Sequence, residues 1–136
     1  MRSGIGTVRH AVLLGCMALL LAGCEEITSW IDDPPTAKNV ALSGTLTVGQ
    51  TLTGSYKYYD PNTDPEGTST FRWYRASDSA GTGAAAISGA TALTYTLVDA
   101  DADETIAFEV TPVAKTGEKL GTAVRSAFTS SAVTAP

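Results

Sequence analysis

From about Lys38 onward, apolar and polar residues alternate with a period of two, and this constrains the fold more than any other property of the chain. Leu52, Gly54, Tyr56 and Tyr58 share one side of an extended segment, with Thr51, Thr53, Ser55 and Lys57 on the other. Phe71, Trp73 and Arg75 alternate with Arg72 and Tyr74; Leu93, Tyr95 and Leu97 alternate with threonines; Ile106, Phe108 and Val110 alternate with Ala107 and Glu109. A last strand is expected near residues 122–128, after the Thr116-Gly117-Glu118 turn. Such alternation, rich in Val, Thr, Tyr and Phe and punctuated by Gly, Asn, Asp and Pro, is the pattern of half-buried antiparallel strands. No segment of ten or more residues shows a helical period. About seven strands in roughly 98 residues predict an all-β, two-sheet sandwich of ordinary domain size. The echo of Thr45-Leu46-Thr47 in Thr51-Leu52-Thr53 reads as two neighbouring strands.

Two absences narrow the chemistry. His10 is the single histidine, and Cys16 and Cys24 are the two cysteines, all close to the N-terminus. If that region is removed or modified, no Ser-His-Asp or Cys-His arrangement, no His or Cys zinc site and no internal disulfide can form in the remainder. Packing must then supply the stability. Loss of Arg2 and Arg9 would leave seven basic side chains against 14 acidic ones, a net charge of −7. That balance argues against nucleic acid as a partner, which needs clustered Lys and Arg, and against a polybasic grip on anionic lipid.

The N-terminal residues carry the parts of an export signal in order: Arg2, Arg9 and His10, an apolar run from Ala11 to Leu21, and small residues thereafter. Counted from Ala11 to Ala22, the run covers about twelve residues, short of the roughly 20 that span a bilayer as a helix. It ends in Leu21-Ala22-Gly23-Cys24, which resembles a bacterial lipobox. Cys16 fits the motif less well, since the large Leu14 stands where a small residue is favoured. The resemblance implies a signal peptide over 1–23 and a lipid-modified Cys24, so that a tether over 24–36 leads to the β-sandwich expected over 37–134. It also implies a cell-envelope location, with the outer membrane favoured where two membranes exist, because Glu25 and not Asp follows the cysteine. Within the tether, Asp32-Asp33-Pro34-Pro35 resists helix and strand. Ile27, Trp30 and Ile31 fall at helical spacing, so Trp30 either rests among lipid headgroups or lies against the domain's first strand.

Several stretches in order resemble the bacterial immunoglobulin-like repeats of secreted and surface proteins. They are Val48-Gly49-Gln50-Thr51-Leu52-Thr53-Gly54, Glu66-Gly67-Thr68-Ser69-Thr70-Phe71-Arg72-Trp73, Ile87-Ser88-Gly89-Ala90-Thr91, Thr94-Tyr95-Thr96-Leu97 and Ile106-Ala107-Phe108-Glu109-Val110-Thr111-Pro112. The resemblance implies an immunoglobulin-like sandwich with Trp73 as the core tryptophan of its third principal strand and apolar residues in place of the usual cysteine pair. Relatives often carry Gly before the strand of Ile106, where this chain has Asp103, a residue that tolerates left-handed backbone better than most. Such modules act as spacers, adhesive or accessory domains.

Two acidic clusters are candidate sites. Asp60, Asn62, Asp64 and Glu66 place oxygen side chains at every second position, a spacing that suits calcium. Pro65 and Phe71 stand where an EF-hand wants Gly and Glu, so that motif is rejected, and the competing reading is a turn begun by Asp, Asn and Pro. Asp99, Asp101, Asp103 and Glu104 form the second cluster, which sandwich geometry places at the opposite end, too far away to share a metal or cleave a glycoside with the first. Lys115 and Lys119 fall at the same end as the first cluster and are expected to neutralise it. The expectation is a noncatalytic binding or structural module without an obligatory cofactor, presenting its loops or a sheet edge to a protein or glycan. A carboxylate-dependent enzyme is the contrasting class. A glycan-binding accessory role would use outward aromatics, for which alternation nominates Tyr59 and Tyr74.

Overall fold

The computed structural model describes residues 32–136. The export signal, Cys24 and the Ile27, Trp30 and Ile31 group lie outside the described residues. Seven strands and one 3-10 turn follow in order: β1 Thr36–Ser43, β2 Thr51–Tyr59, β3 Thr70–Ala76, β4 Ala85–Ala86, β5 Thr94–Thr96, the turn Asp99–Asp101, β6 Thr105–Thr111 and β7 Val124–Arg125. They form a three-stranded sheet in the order β1-β2-β5 and a four-stranded sheet in the order β4-β3-β6-β7, antiparallel throughout.

Alternation decides which side chains meet between the sheets. Leu52 from β2, Trp73 from β3, Ile106, Phe108 and Val110 from β6, and Leu97 after β5 are all buried, and Val40, Tyr56, Phe71 and Tyr95 pack around them. Trp73 has no exposed surface. Its ring lies 5.0 Å from that of Phe108 and 5.7 Å from that of Tyr95, and its indole N–H donates to the Ala92 carbonyl at 2.9 Å. The polar end of a large apolar side chain is thus satisfied without reaching water. Gly54 occupies a core position in β2 because a Cβ there would overlap the Phe108 ring, so the glycine lets the two sheets close on that aromatic.

Three local differences from the alternation pattern have physical causes. The last strand contracts to Val124–Arg125, because farther along β6 the ladder is shared with hydroxyls: Ser126 Oγ accepts from Phe108 N at 3.1 Å and Thr129 Oγ1 from Ile106 N at 3.2 Å. Residues 45–47 do not form a strand beside β2; Thr47 instead makes an isolated parallel bridge to Thr134. β4 is a two-residue alanine strand, too short and uniform to show a period. Asp103 does adopt left-handed backbone, at φ 65°, and its N–H donates to the Val133 carbonyl at 2.9 Å.

Candidate functional site

The register places the 60–69 and 112–123 loops at one end of the sandwich, since Thr70 faces Thr111 there, and the 98–104 turn at the other, where Ala76 faces Thr105. The two acidic clusters therefore stay apart, as the fold class demands. In the first cluster, Asp60 is buried and acts as the pivot of its loop. Its Oδ1 accepts from Asn62 N at 2.8 Å and Asp64 N at 3.1 Å, and its carbonyl accepts from Thr63 N at 3.3 Å, with Thr63 held at φ 67°. This is an Asx turn extended by one further amide. Glu66 Oε1 accepts from Tyr56 Oη at 2.7 Å and Ser69 Oγ at 2.6 Å, Asp64 accepts from the Thr116 hydroxyl, and Asn62 Oδ1 accepts from Asp33 N at 2.8 Å. Burial, reinforced by the Glu66 carboxylate, pushes the Tyr56 phenol up, and desolvation followed by the charge of Asp60 does the same to Tyr58.

These four oxygen-bearing side chains are thus each engaged by a donor of the chain. Among the described residues no group of three or more His, Cys, Asp or Glu is arranged to hold a metal ion. Calcium at millimolar concentration is expected to leave the melting temperature unchanged within about 1 °C, read by circular dichroism with and without chelator; a rise of several degrees would assign the loop to the cation. Lys115 reaches this loop through its backbone, its N–H donating to Pro65 O at 2.8 Å, while the Lys119 carbonyl accepts from Ala114 N within its own loop, and neither lysine forms an ion pair with these carboxylates among the described residues. The expected neutralisation is therefore not a direct contact.

The same end receives the N-terminal segment. Asp33 binds Asn62 as described, Asp32 accepts from Glu118 N, and Pro35 is buried with its carbonyl against Gly121, where a Cβ would find no room. Residues 32–35 are thus threaded between the two loops that would otherwise be open to a ligand. Gly67 N donates to Val113 O at 2.7 Å, which fastens one loop to the other.

The second cluster separates into one buried carboxylate and three acidic neighbours, of which Asp99 and Asp103 are exposed. Asp101 is fully buried, and its Oδ2 accepts from Tyr95 Oη at 2.8 Å and Val98 N at 2.9 Å. Arg75 Nη2 lies 2.9 Å from Oδ1. That contact is one of charge more than of alignment, since Asp101 Oδ1 and Arg75 Nε are the buried polar side-chain atoms lacking a hydrogen-bond partner among the described residues. Burial, then the bond to Asp101, push the Tyr95 phenol up to about 12. Asp101 is an anchor that the spacing of four neighbouring acids does not single out. Its signal was Arg75, a cation in the inward row of Phe71 and Trp73.

Tyr59 and Tyr74 stand in different sheets, so they form no common platform. Lys38 Nζ lies 3.3 Å from the ring centroid of Tyr59, and Arg125 lies 3.5 Å from that of Tyr74, whose hydroxyl donates to Glu109 at 3.0 Å. A depression of about 750 Å³, open to solvent, is bordered by Thr70, Phe71, Arg72, Leu93, Glu109 and Thr111. Its single carboxylate, Glu109, is committed to Tyr74 and to Arg125 at 2.8 Å.

Two antiparallel sheets closed over a core tryptophan define an immunoglobulin-like β-sandwich. The family model described as the AIR9 A9 domain matches residues 36–127, and the chain belongs to that immunoglobulin-like family. Residues beyond the match complete the fold, for Val133 is buried and Thr134 N donates to Leu46 O at 2.8 Å. A search of curated proteins finds no match to the chain.

Proposed function

We propose that the protein is a lipid-anchored envelope module that binds or spaces without catalysis, held through Cys24 with its 98–104 end directed away from the membrane. The observation that carries this reading is the clasp of residues 32–35 between the 60–69 and 112–123 loops. Seven residues separate Cys24 from Asp32, and a fully extended chain gains at most about 3.3–3.6 Å per residue. An acylated Cys24 would thus keep the clasped end within roughly 30 Å of the bilayer. The loops of that end then face lipid, and a soluble partner meets the sheets or the far end. Noncatalytic action is supported by the carboxylates of Asp60, Asp64, Glu66 and Asp101, each of which serves as an acceptor for backbone or side-chain donors of the chain.

Cys24→Ser in the full chain is expected to move the protein from the membrane pellet to the soluble fraction with its melting temperature unchanged. Mass spectrometry of the parent should find an acylated cysteine at a mature N-terminus. Persistent membrane attachment of the variant, or an unprocessed and unacylated parent, would refute the anchor.

A further inference from the structure

A sheet edge offers unpaired backbone groups to any passing strand, and folded proteins ordinarily blunt such edges with charge, proline, a bulge or extreme shortness. Three of the four edges here are managed in that way. β1 is bulged between Lys38 and Ala41, with Asn39 at φ 53°; β4 and β7 are two residues each, and β7 bears Arg125. β5 is the exception.

The register fixes what β5 shows to solvent. Gly54 N donates to Leu93 O at 2.8 Å and Leu97 N donates to Gln50 O at 2.9 Å, while Tyr95 lies opposite Leu52. Leu93, Tyr95 and Leu97 therefore turn their backbone groups toward β2, and the residues between them turn theirs away. The N–H and C=O of Thr94 and Thr96 point outward, and no described residue is hydrogen-bonded to them. The run Leu93-Thr94-Tyr95-Thr96-Leu97-Val98 contains no charge, proline or glycine. Leu93 and Val98 at its ends are 39% and 46% exposed. In a chain of formal charge −5, most approaches between two copies bring like charges together, whereas the run from Leu93 to Val98 carries no charge, and the buried Asp101 bonded to Tyr95 is paired with Arg75.

We propose that the β5 edge joins two copies of this chain, β5 lying antiparallel to β5 about a two-fold axis through Tyr95. Thr94 of one copy then faces Thr96 of the other, and each such pair exchanges both of its backbone bonds, so every outward group finds a partner. The three-stranded sheets of the two molecules become one continuous sheet. The contact is self-complementary because Thr94 and Thr96 are equidistant from the axis. The short edge makes a weak dimer in dilute solution, and confinement to a surface, as the lipid anchor of the proposed function would provide, raises its occupancy through effective concentration. The pairing itself does not depend on that anchor.

The test places Thr94→Cys and Thr96→Cys in the full chain with Cys16→Ser and Cys24→Ser, so that the introduced thiols are the only ones present. Mild oxidation of concentrated protein is expected to give a band of twice the chain mass on a non-reducing gel, and Ser131→Cys in the same background is not. By sedimentation equilibrium the Cys16→Ser, Cys24→Ser chain, the parent for these comparisons, should rise toward dimer mass with concentration. Thr96→Pro, which deletes one outward N–H at an edge position where proline is tolerated, should weaken association at least tenfold while still melting cooperatively. Thr96 also shares a hydroxyl contact with Thr51 at 3.0 Å. Thr51→Ala removes that contact alone and should leave association unchanged. A parent that stays monomeric at millimolar concentration, equal cross-linking through Ser131→Cys, or undiminished association of Thr96→Pro would each overturn the proposal. None of these readouts involves acylation, so failure of the lipid anchor leaves the result interpretable.

Discussion

Trp73→Ala is expected to lower the unfolding free energy by about 3–5 kcal/mol, the range for deleting a large aromatic from a packed interior. The indole is wholly enclosed, touches the Phe108 and Tyr95 rings and gives its N–H to Ala92. Removing it leaves a void between the sheets and strips the Ala92 carbonyl of its donor. For a domain of this size each kcal/mol is worth roughly 4–8 °C, so the loss should exceed 12 °C in melting temperature. Trp73→Phe keeps the ring contacts and forfeits the hydrogen bond and part of the volume, so it should fall between parent and alanine variant. Thermal unfolding followed by near-ultraviolet circular dichroism checks both; an alanine variant melting within a few degrees of the parent would show that the indole is not the centre of the core.

The second large effect is expected at Asp101→Ala. The change takes the acceptor from Tyr95 Oη and Val98 N and leaves the Arg75 guanidinium without its counter-charge. Breaking a buried pair at one partner typically costs about 3–5 kcal/mol, and Arg75, whose side chain keeps 27% exposure, places this case near about 3 kcal/mol. Adding Arg75→Met should restore part of the loss, since a neutral side chain removes the stranded cation; urea denaturation of the two single variants and the double variant measures that coupling. The same group of residues sets an alkaline limit. The folded protein holds the Tyr95 proton to about pH 12, whereas the unfolded chain releases it near 10. The native state then binds more protons than the unfolded state, so stability falls as pH rises through that interval. Tyr95→Phe should flatten this part of the profile.

Those two side chains mark how far the fold and the candidate site could be read from residue order. Trp73 was legible because period-two alternation names the inward row directly, and Leu52, Ile106, Phe108 and Val110 followed by the same rule. Asp103 was legible as a glycine substitute because few other residues accept left-handed backbone. Asp101 was not, since alternation says nothing about a turn, and four neighbouring acids look alike until the chain folds one of them inward beneath Arg75. β7 is shorter than the pattern over 122–128 suggests for a related cause: alternation reports which way side chains face, while Ser126 and Thr129 take over backbone partners with their hydroxyls. The oxygen-rich loop at 60–66 was visible as a cluster, but its donors Tyr56, Ser69 and Thr116 come from β2, the loop's own far side and the neighbouring loop, relations that spacing cannot reveal. The open edge of β5 is not legible in residue order, because which threonines turn their amides outward depends on the pairing of Leu52 with Tyr95.

The clasp of residues 32–35 at one pole and the pairing of Val133 and Thr134 at the other have a mechanical consequence. A tug between the two ends of the described chain runs lengthwise, drawing β1 along β2 and Thr47 past Thr134. Antiparallel ladder bonds lie across that direction, so they resist together in shear instead of opening one at a time like a zipper. How long the domain withstands such pulling is set by its rate of unfolding and not by its equilibrium stability.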